Sequence, residues 1–262
     1  MLTRLLPMLL CGLTACGGGT ATLPAEPAAP ATPVEVTAGD EINLLFMGNS
    51  HTIYNDVPGS VAAMVRAGRP GKTVTAVTAP ASQFLEAHWH DATTLGLLRQ
   101  RTWSAVVLQA QKYSASGAFS YSTAEAENLA QEARRLGAVP VMFPEWARLD
   151  FDETQRIFDL HVSIAQRQPA CVAPIGQAWD IALARTPTLV LHDPDGNHAN
   201  PKGSFLAALV IYATLTGLSP ADLPNLDGRG VDSGTQALLR AAAAEAARLY
   251  SPRALCPTDR LL

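Results

Sequence analysis

Ile42-Asn43-Leu44-Leu45-Phe46-Met47-Gly48-Asn49-Ser50-His51 is the stretch that decides the fold. Its first half is a short apolar run with no charge, as a strand buried on both faces of a parallel sheet should be. Its second half is a turn of small and polar residues that carries a serine. Working outward, runs of the same kind recur at 73–79, 104–109, 139–143 and 171–175, so five strands are expected with 42–48 as the first. Pro140 and Pro174 point to a strand start or end in the last two.

Helical patterns fall between the strands. Val57, Val61, Met64 and Val65 follow helical spacing, with Pro58 at the start and Gly68 at the stop. Ser122 and Glu125 read as a capping box ahead of Leu129, Ala133 and Leu136, and Gly137 ends that helix. Asn200-Pro201 opens a helix through Phe205, Leu209 and Tyr212 to Gly217, and Ser233 with Gln236 opens an alanine-rich last one. Alternation of this kind gives an α/β fold: a three-layer α/β/α sandwich around a doubly wound, mostly parallel five-stranded sheet of flavodoxin type. Such sheets bind ligands beyond the carboxyl ends of their strands, and Ser50 stands at one such end.

A serine hydroxyl is a weak nucleophile at neutral pH and needs a base within hydrogen-bond reach, itself oriented by an acceptor. Asp195-Gly196-Asn197-His198, just before Asn200-Pro201, supplies both types three residues apart. Together the two blocks resemble the SGNH/GDSL hydrolase superfamily, in the bacterial branch whose first block reads Gly-Asn-Ser; the resemblance covers residues 42 to 218. It implies an SGNH-type fold, an esterase activity without cofactor or metal, Ser50 as nucleophile, and His198 with Asp195 as base and orienting acid. The run Asn200-Pro201-Lys202-Gly203-Ser204-Phe205 also follows the family pattern.

Two middle blocks depart from it. Where the family places an oxyanion-binding glycine, this chain has Ala81-Ser82-Gln83, and Ser82 takes that place through its backbone N–H. Where the family has an asparagine, this chain has Val107-Leu108-Gln109-Ala110-Gln111; Gln109 is the expected side-chain donor and Gln111 the alternative. The oxyanion hole is thus expected from Ser50, Ser82 and Gln109. Trp146, after the fourth strand, is expected in the cleft wall.

The remaining features bound the class. The chain has 262 residues, 48% hydrophobic, with 19 basic and 23 acidic side chains, enough for one α/β core. No basic run points to nucleic acid, and no apolar stretch reaches the roughly 18 residues of a membrane span. At the front, Arg4 precedes an apolar run to Leu13 and then Thr14-Ala15-Cys16, the layout of a secretory signal. Leu13-Thr14-Ala15-Cys16 resembles a bacterial lipoprotein signal, which implies residues 1–16 as signal with Cys16 lipidated, and export to the cell envelope, at the outer membrane. An ordinary cleaved signal with a chance cysteine is the alternative. Residues 17–40, rich in Pro, Ala and Thr, read as an extended tether, leaving 41–262 as a single domain. Cys11 goes with the signal, and an oxidising compartment permits a Cys171–Cys256 bridge.

The partners expected are therefore an ester substrate, small acyl or acetylated carbohydrate, and a membrane reached through the lipid. Two rivals stay open. A metal hydrolase would draw on His88, His90, His192, Asp193, Asp195 and His198, but His88 and His90 lie two apart on a helix and cannot face one point. The loop from Asp193 also has no glycine at the sixth position of a calcium loop, and Ser204 stands where the glutamate belongs. The other rival is a non-catalytic, lipid-anchored binding protein on a hydrolase scaffold.

Overall fold

The computed structural model describes residues 41–262. The signal, Cys11, the lipidation site Cys16 and the 17–40 tether lie outside the described residues. Strands β1 (Glu41–Met47), β2 (Thr73–Thr78), β3 (Ala105–Gln109), β4 (Val139–Phe143) and β5 (Cys171–Val172) form one sheet in the order β2-β1-β3-β4-β5, with every neighbouring pair parallel. Helices follow as α1 (Ser50–Ile53), α2 (Val57–Gly68), α3 (Leu85–His90), α4 (Ala92–Gln100), α5 (Ala124–Arg135), α6 (Thr154–Arg167), α7 (Ile175–Arg185), α8 (Pro201–Thr216) and α9 (Ser233–Leu249).

Strands β1, β3 and β4 have core on both faces, which is why they read as mostly apolar runs, whereas the edge strand β2 buries only Val74. Leu44, Phe46, Val107 and Val141 pack with Val61, Trp179, Leu209 and Leu239, so α2, α7, α8 and α9 cover one face. Leu45, Met47, Val106 and Leu108 pack with Leu85, Leu98, Leu129 and Ile164, which puts α3 to α6 on the other. These form the three layers. Each of these leucines is about 100% buried, worth roughly 1.5–3 kcal/mol apiece in water-exclusion terms.

Strand β5 is shorter than expected: it pairs only at Val141↔Cys171 and Met142↔Val172, because the Ala173-Pro174 pair leads straight into α7. Pro140 sits inside β4, opposite Val106, at the end away from the site. Two caps shift by one residue. Thr123 rather than Ser122 is the cap of α5, although Ser122 Oγ still bonds Glu125 at 2.6 Å. Asp232 rather than Ser233 caps α9, accepting from the Thr235 N–H. The α8 boundaries fall as read: Asn200 Oδ1 accepts from the Lys202 and Gly203 N–H groups, and Gly217 ends the helix at φ +67°. Cys171 and Cys256 are joined by a disulfide with Cα atoms 5.1 Å apart, which ties β5 to the C-terminal segment.

This strand order reverses direction of travel between β1 and β3, the place where such sheets open a crevice at their carboxyl edge. The Gly48-Asn49-Ser50 turn lies there.

Candidate active site

The turn after β1 is bent tightly. Gly48 follows Met47, and Ser50 begins α1, with Asn49 as its cap accepting the His51 N–H on Oδ1 at 3.1 Å. A Cβ at Gly48 would collide with Thr52 Oγ1 and Gln109 Oε1, so only glycine lets the turn sit on the end of β3. From the far side, the stretch between Leu191 and Asn200 doubles back as a narrow loop. His192 pairs with Ala199, the Asp193 N–H bonds the His198 carbonyl at 2.8 Å, and Asn200 N–H bonds Leu191. This loop carries Asp195 and His198 to the turn.

There Ser50 Oγ stands 2.8 Å from His198 Nε2, and His198 Nδ1 stands 2.5 Å from Asp195 Oδ2. Asp195 also accepts the backbone N–H groups of Asn197 and His198, both at 2.9 Å. The bond from His198, then those two N–H groups, hold its carboxyl well below the usual carboxylate range. An ionised Asp195 accepts the Nδ1 proton and leaves Nε2 as the lone-pair side facing Ser50. Tyr54 stacks on the other face of His198, with ring centres 4.4 Å apart and planes 24° off parallel. Next to it Asn55, at φ +54°, donates from Nδ2 to the Ala199 carbonyl and Ser204 Oγ. The segment after Ser50 thus grips the loop that carries His198.

Ser50 and His198 line a cavity of about 630 Å³. Its other walls include Phe84, Tyr113, Tyr121, Gln111 and Arg148. Arg148 is held by the buried Glu153 carboxylate at 2.9 Å, which also accepts from Tyr113. A larger hollow of about 810 Å³, formed by the C-terminal ends of α7, α8 and α9, has no histidine in its walls and so offers serine chemistry no base.

Gln109 is not where the third block was expected to put it. Its side chain is completely buried beneath the turn, and Nε2 donates to Glu145 Oε2 at 2.7 Å. Its Oε1 accepts from the Asn49 N–H and Thr52 Oγ1, both at 2.9 Å. The longer arm of glutamine, starting from the strand end itself, reaches under the turn and stops short of the cavity. The alternative, Gln111, does line the cavity, but its Nε2 donates to the Lys112 and Ser122 carbonyls. Ser82 is exposed and is not part of the cavity wall; its neighbour Gln83 bonds the Gly48 carbonyl through its N–H.

Trp146 is also corrected. It is buried behind the site, stacked on Trp179 at 4.6 Å and donating to the Asn197 carbonyl, so it backs the wall without forming it. His192 bonds the Ala147 carbonyl and His88 the Gly48 carbonyl, so each has a structural partner. The sequence reading missed Glu145, His51 and Tyr54. His51 and Tyr54 follow the serine by one and four residues in the chain, yet a single polar or aromatic residue in a turn carries no signal of its own.

No protein-family profile matches the chain, and no curated protein matches it. Solved structures do. A DUF4886 family protein from Bacteroides uniformis superposes with a TM-score of 0.65 at 18% identity, over 85% of this chain and 97% of that one. A protein from Slackia heliotrinireducens, proposed to be an SGNH hydrolase, superposes with a TM-score of 0.52 at 22% identity, over 66% of this chain and 98% of that one. With its five parallel strands flanked by helices, this chain has the fold of the SGNH hydrolases.

Proposed function

We propose that this protein is a serine esterase that cleaves carboxylic esters through an acyl-enzyme on Ser50. The observation that carries the reading is the unbroken hydrogen-bond chain from Ser50 Oγ through His198 to Asp195, opening on a cavity. In this mechanism His198 Nε2 takes the hydroxyl proton as Ser50 Oγ attacks the ester carbonyl carbon. Asp195 fixes the tautomer and stabilises the imidazolium. The tetrahedral intermediate collapses, the C–O bond to the alcohol breaks, and His198 returns its proton to the leaving alcohol. Water, deprotonated by the same histidine, then releases the acid and frees the serine.

The Ser50 N–H, which has no hydrogen-bond partner among the described residues, is the first oxyanion donor in this scheme. The Ser82 N–H is the second donor proposed: Ser82 lies outside the cavity wall, but the Gln83–Gly48 bond keeps its segment beside the turn. Gln109 is withdrawn from the hole because Glu145 occupies its amide. A cavity of about 630 Å³ walled by Phe84, Tyr113 and Tyr121 is far larger than an acetyl group. Its flat rings and polar edge suit a sugar alcohol bearing a short acyl group, such as an acetylated envelope or environmental glycan. Anchoring through a lipid on Cys16, after export, places the domain at the cell envelope.

Aryl esters of increasing acyl length, run beside acetylated xylan and peptidoglycan fragments, test the reading. Turnover highest on acetyl substrates and absent in Ser50→Ala supports it. No turnover of any ester by the wild-type protein returns the molecule to the binding-protein reading.

A further inference from the structure

Among the ionisable side chains that face the cavity of the triad without a part in the steps above, His51 and Glu145 lie against each other. His51 is 8% exposed, and neither ring nitrogen makes a hydrogen bond. Its Nδ1 instead stands 3.5 Å from Glu145 Oε2, a charge-pairing distance. The ring is wedged edge-on against Trp146 and beside His198, with both sets of ring centres 5.1 Å apart. Glu145 is in turn bonded by Gln109 Nε2, and Gln109 Oε1 takes the Asn49 N–H and the Thr52 hydroxyl. A second polar chain, His51–Glu145–Gln109, therefore ends on the residues either side of the nucleophile.

Neither charge is tolerable alone in such surroundings, but the pair is neutral as a whole. Burial pushes the His51 proton off, but Glu145, with the Asn197 backbone and Asp195 behind it, more than offsets this, so the imidazole is raised above its ordinary value. Burial likewise opposes the Glu145 charge, and His51 with Gln109 brings its carboxyl below the ordinary value. From the other elements, Asp195 also acts on His51, while Tyr113 and His161 approach Glu145. Lys112 and Arg148 share the cavity, each already paired, with Glu86 and Glu153.

We infer that His51 and Glu145 form a charged positioning pair that holds the nucleophile turn from below and sets the acid limit of Ser50–His198 chemistry. The inference rests on the hydrolase reading above. A proton on His51 repels a second proton on His198 one ring away, keeping the base free at lower pH. Glu145 damps that repulsion and keeps Gln109 aimed at the turn. Without His51, Glu145 acts on His198 unopposed and favours its protonated, inactive form. Without the Glu145 charge, His51 has no reason to hold its proton, and both charges vanish together.

The test is the rate at which a fluorophosphonate labels Ser50 as a function of pH, in the wild type, His51→Gln, Glu145→Gln and the double variant. At a spacing near 5 Å, loss of the His51 charge moves the acid limb of His51→Gln up by about one pH unit, roughly a tenfold slower reaction on that limb. The limbs of Glu145→Gln and the double variant coincide with each other. A His51→Gln limb that stays in place while the plateau falls assigns His51 a merely structural part and overturns the inference. Nitrogen NMR of the histidine rings in the unaltered protein tests the pair without activity or substitution. An imidazolium at His51 that persists above about pH 6.5 supports it, and a neutral ring below that pH overturns it. If the wild type is not labelled at all, the hydrolase reading fails, and the NMR result still decides whether the pair exists.

Discussion

The two arms that meet at Ser50 are built differently. The outer arm, Asp195 to His198, is one short loop: the two side chains are three residues apart, their bonds are local, and Asp195 is half exposed. The inner arm, Gln109 to Glu145 to His51, gathers residues from the ends of β3, β4 and β1, 36 to 94 positions apart, with Gln109 and His51 buried and Glu145 mostly so. An arm made locally can be changed without disturbing the fold, whereas one made of long-range buried contacts carries stability and function together. The difference predicts opposite outcomes on substitution.

Largest is Ser50→Ala, expected to remove ester hydrolysis by several powers of ten with an unchanged melting curve, since its hydroxyl faces the cavity. His198→Ala should approach the same loss. Asp195→Asn should be milder, because the aspartate orients and the histidine carries the proton. Calorimetry beside the kinetics checks all three; a large drop in stability in any of them would erase the contrast between the arms.

Gln109→Ala comes next and should look different. It orphans the Asn49 N–H, the Thr52 hydroxyl and the Glu145 carboxylate at once, so stability should fall by about 2–5 kcal/mol in urea titration. An oxyanion donor would instead show a loss of roughly 10²–10³ in kcat at constant stability. That second pattern would restore Gln109 to the hole and merge the two arms into one.

Tyr54→Leu probes the seam between them. Removing the ring stacked on His198 should cost about 1 kcal/mol of support for the imidazolium, roughly a fivefold fall in kcat. Tyr54→Phe should keep the activity. Smallest in activity is Cys171→Ala with Cys256→Ala, far from the cavity wall. Opening a link across 85 residues should lower stability by about 2–5 kcal/mol and leave kcat where it was.

The same contrast explains what the sequence made legible. Strands β1, β3 and β4 could be read because burial on both faces leaves an apolar run, edge strand β2 by its β-branched Thr and Val residues, and α2 and α8 because Pro58, Gly68, Asn200 and Gly217 mark their ends. Helices α6 and α7 went unread: α6 has no side-chain cap, and α7 starts directly on Pro174. That Ser50, Asp195 and His198 come together was legible because two short motifs carry them. Glu145 was not, since a glutamate after a strand looks like any surface carboxylate until Gln109 and His51 close over it. Gln109 was read with the right chemistry in the wrong direction, because only the packing of Gly48 on the end of β3 tells which side of the turn its amide serves.

The central claim is that Ser50 is a nucleophile activated by His198, and covalent capture tests it most directly. The purified wild-type protein is treated with a fluorophosphonate near neutral pH, and its intact mass and peptide map are measured. The account predicts one phosphonyl group per chain, on Ser50, with labelling abolished in Ser50→Ala and slowed by several powers of ten in His198→Ala. No adduct on the folded wild-type protein, or one on another residue, would contradict it.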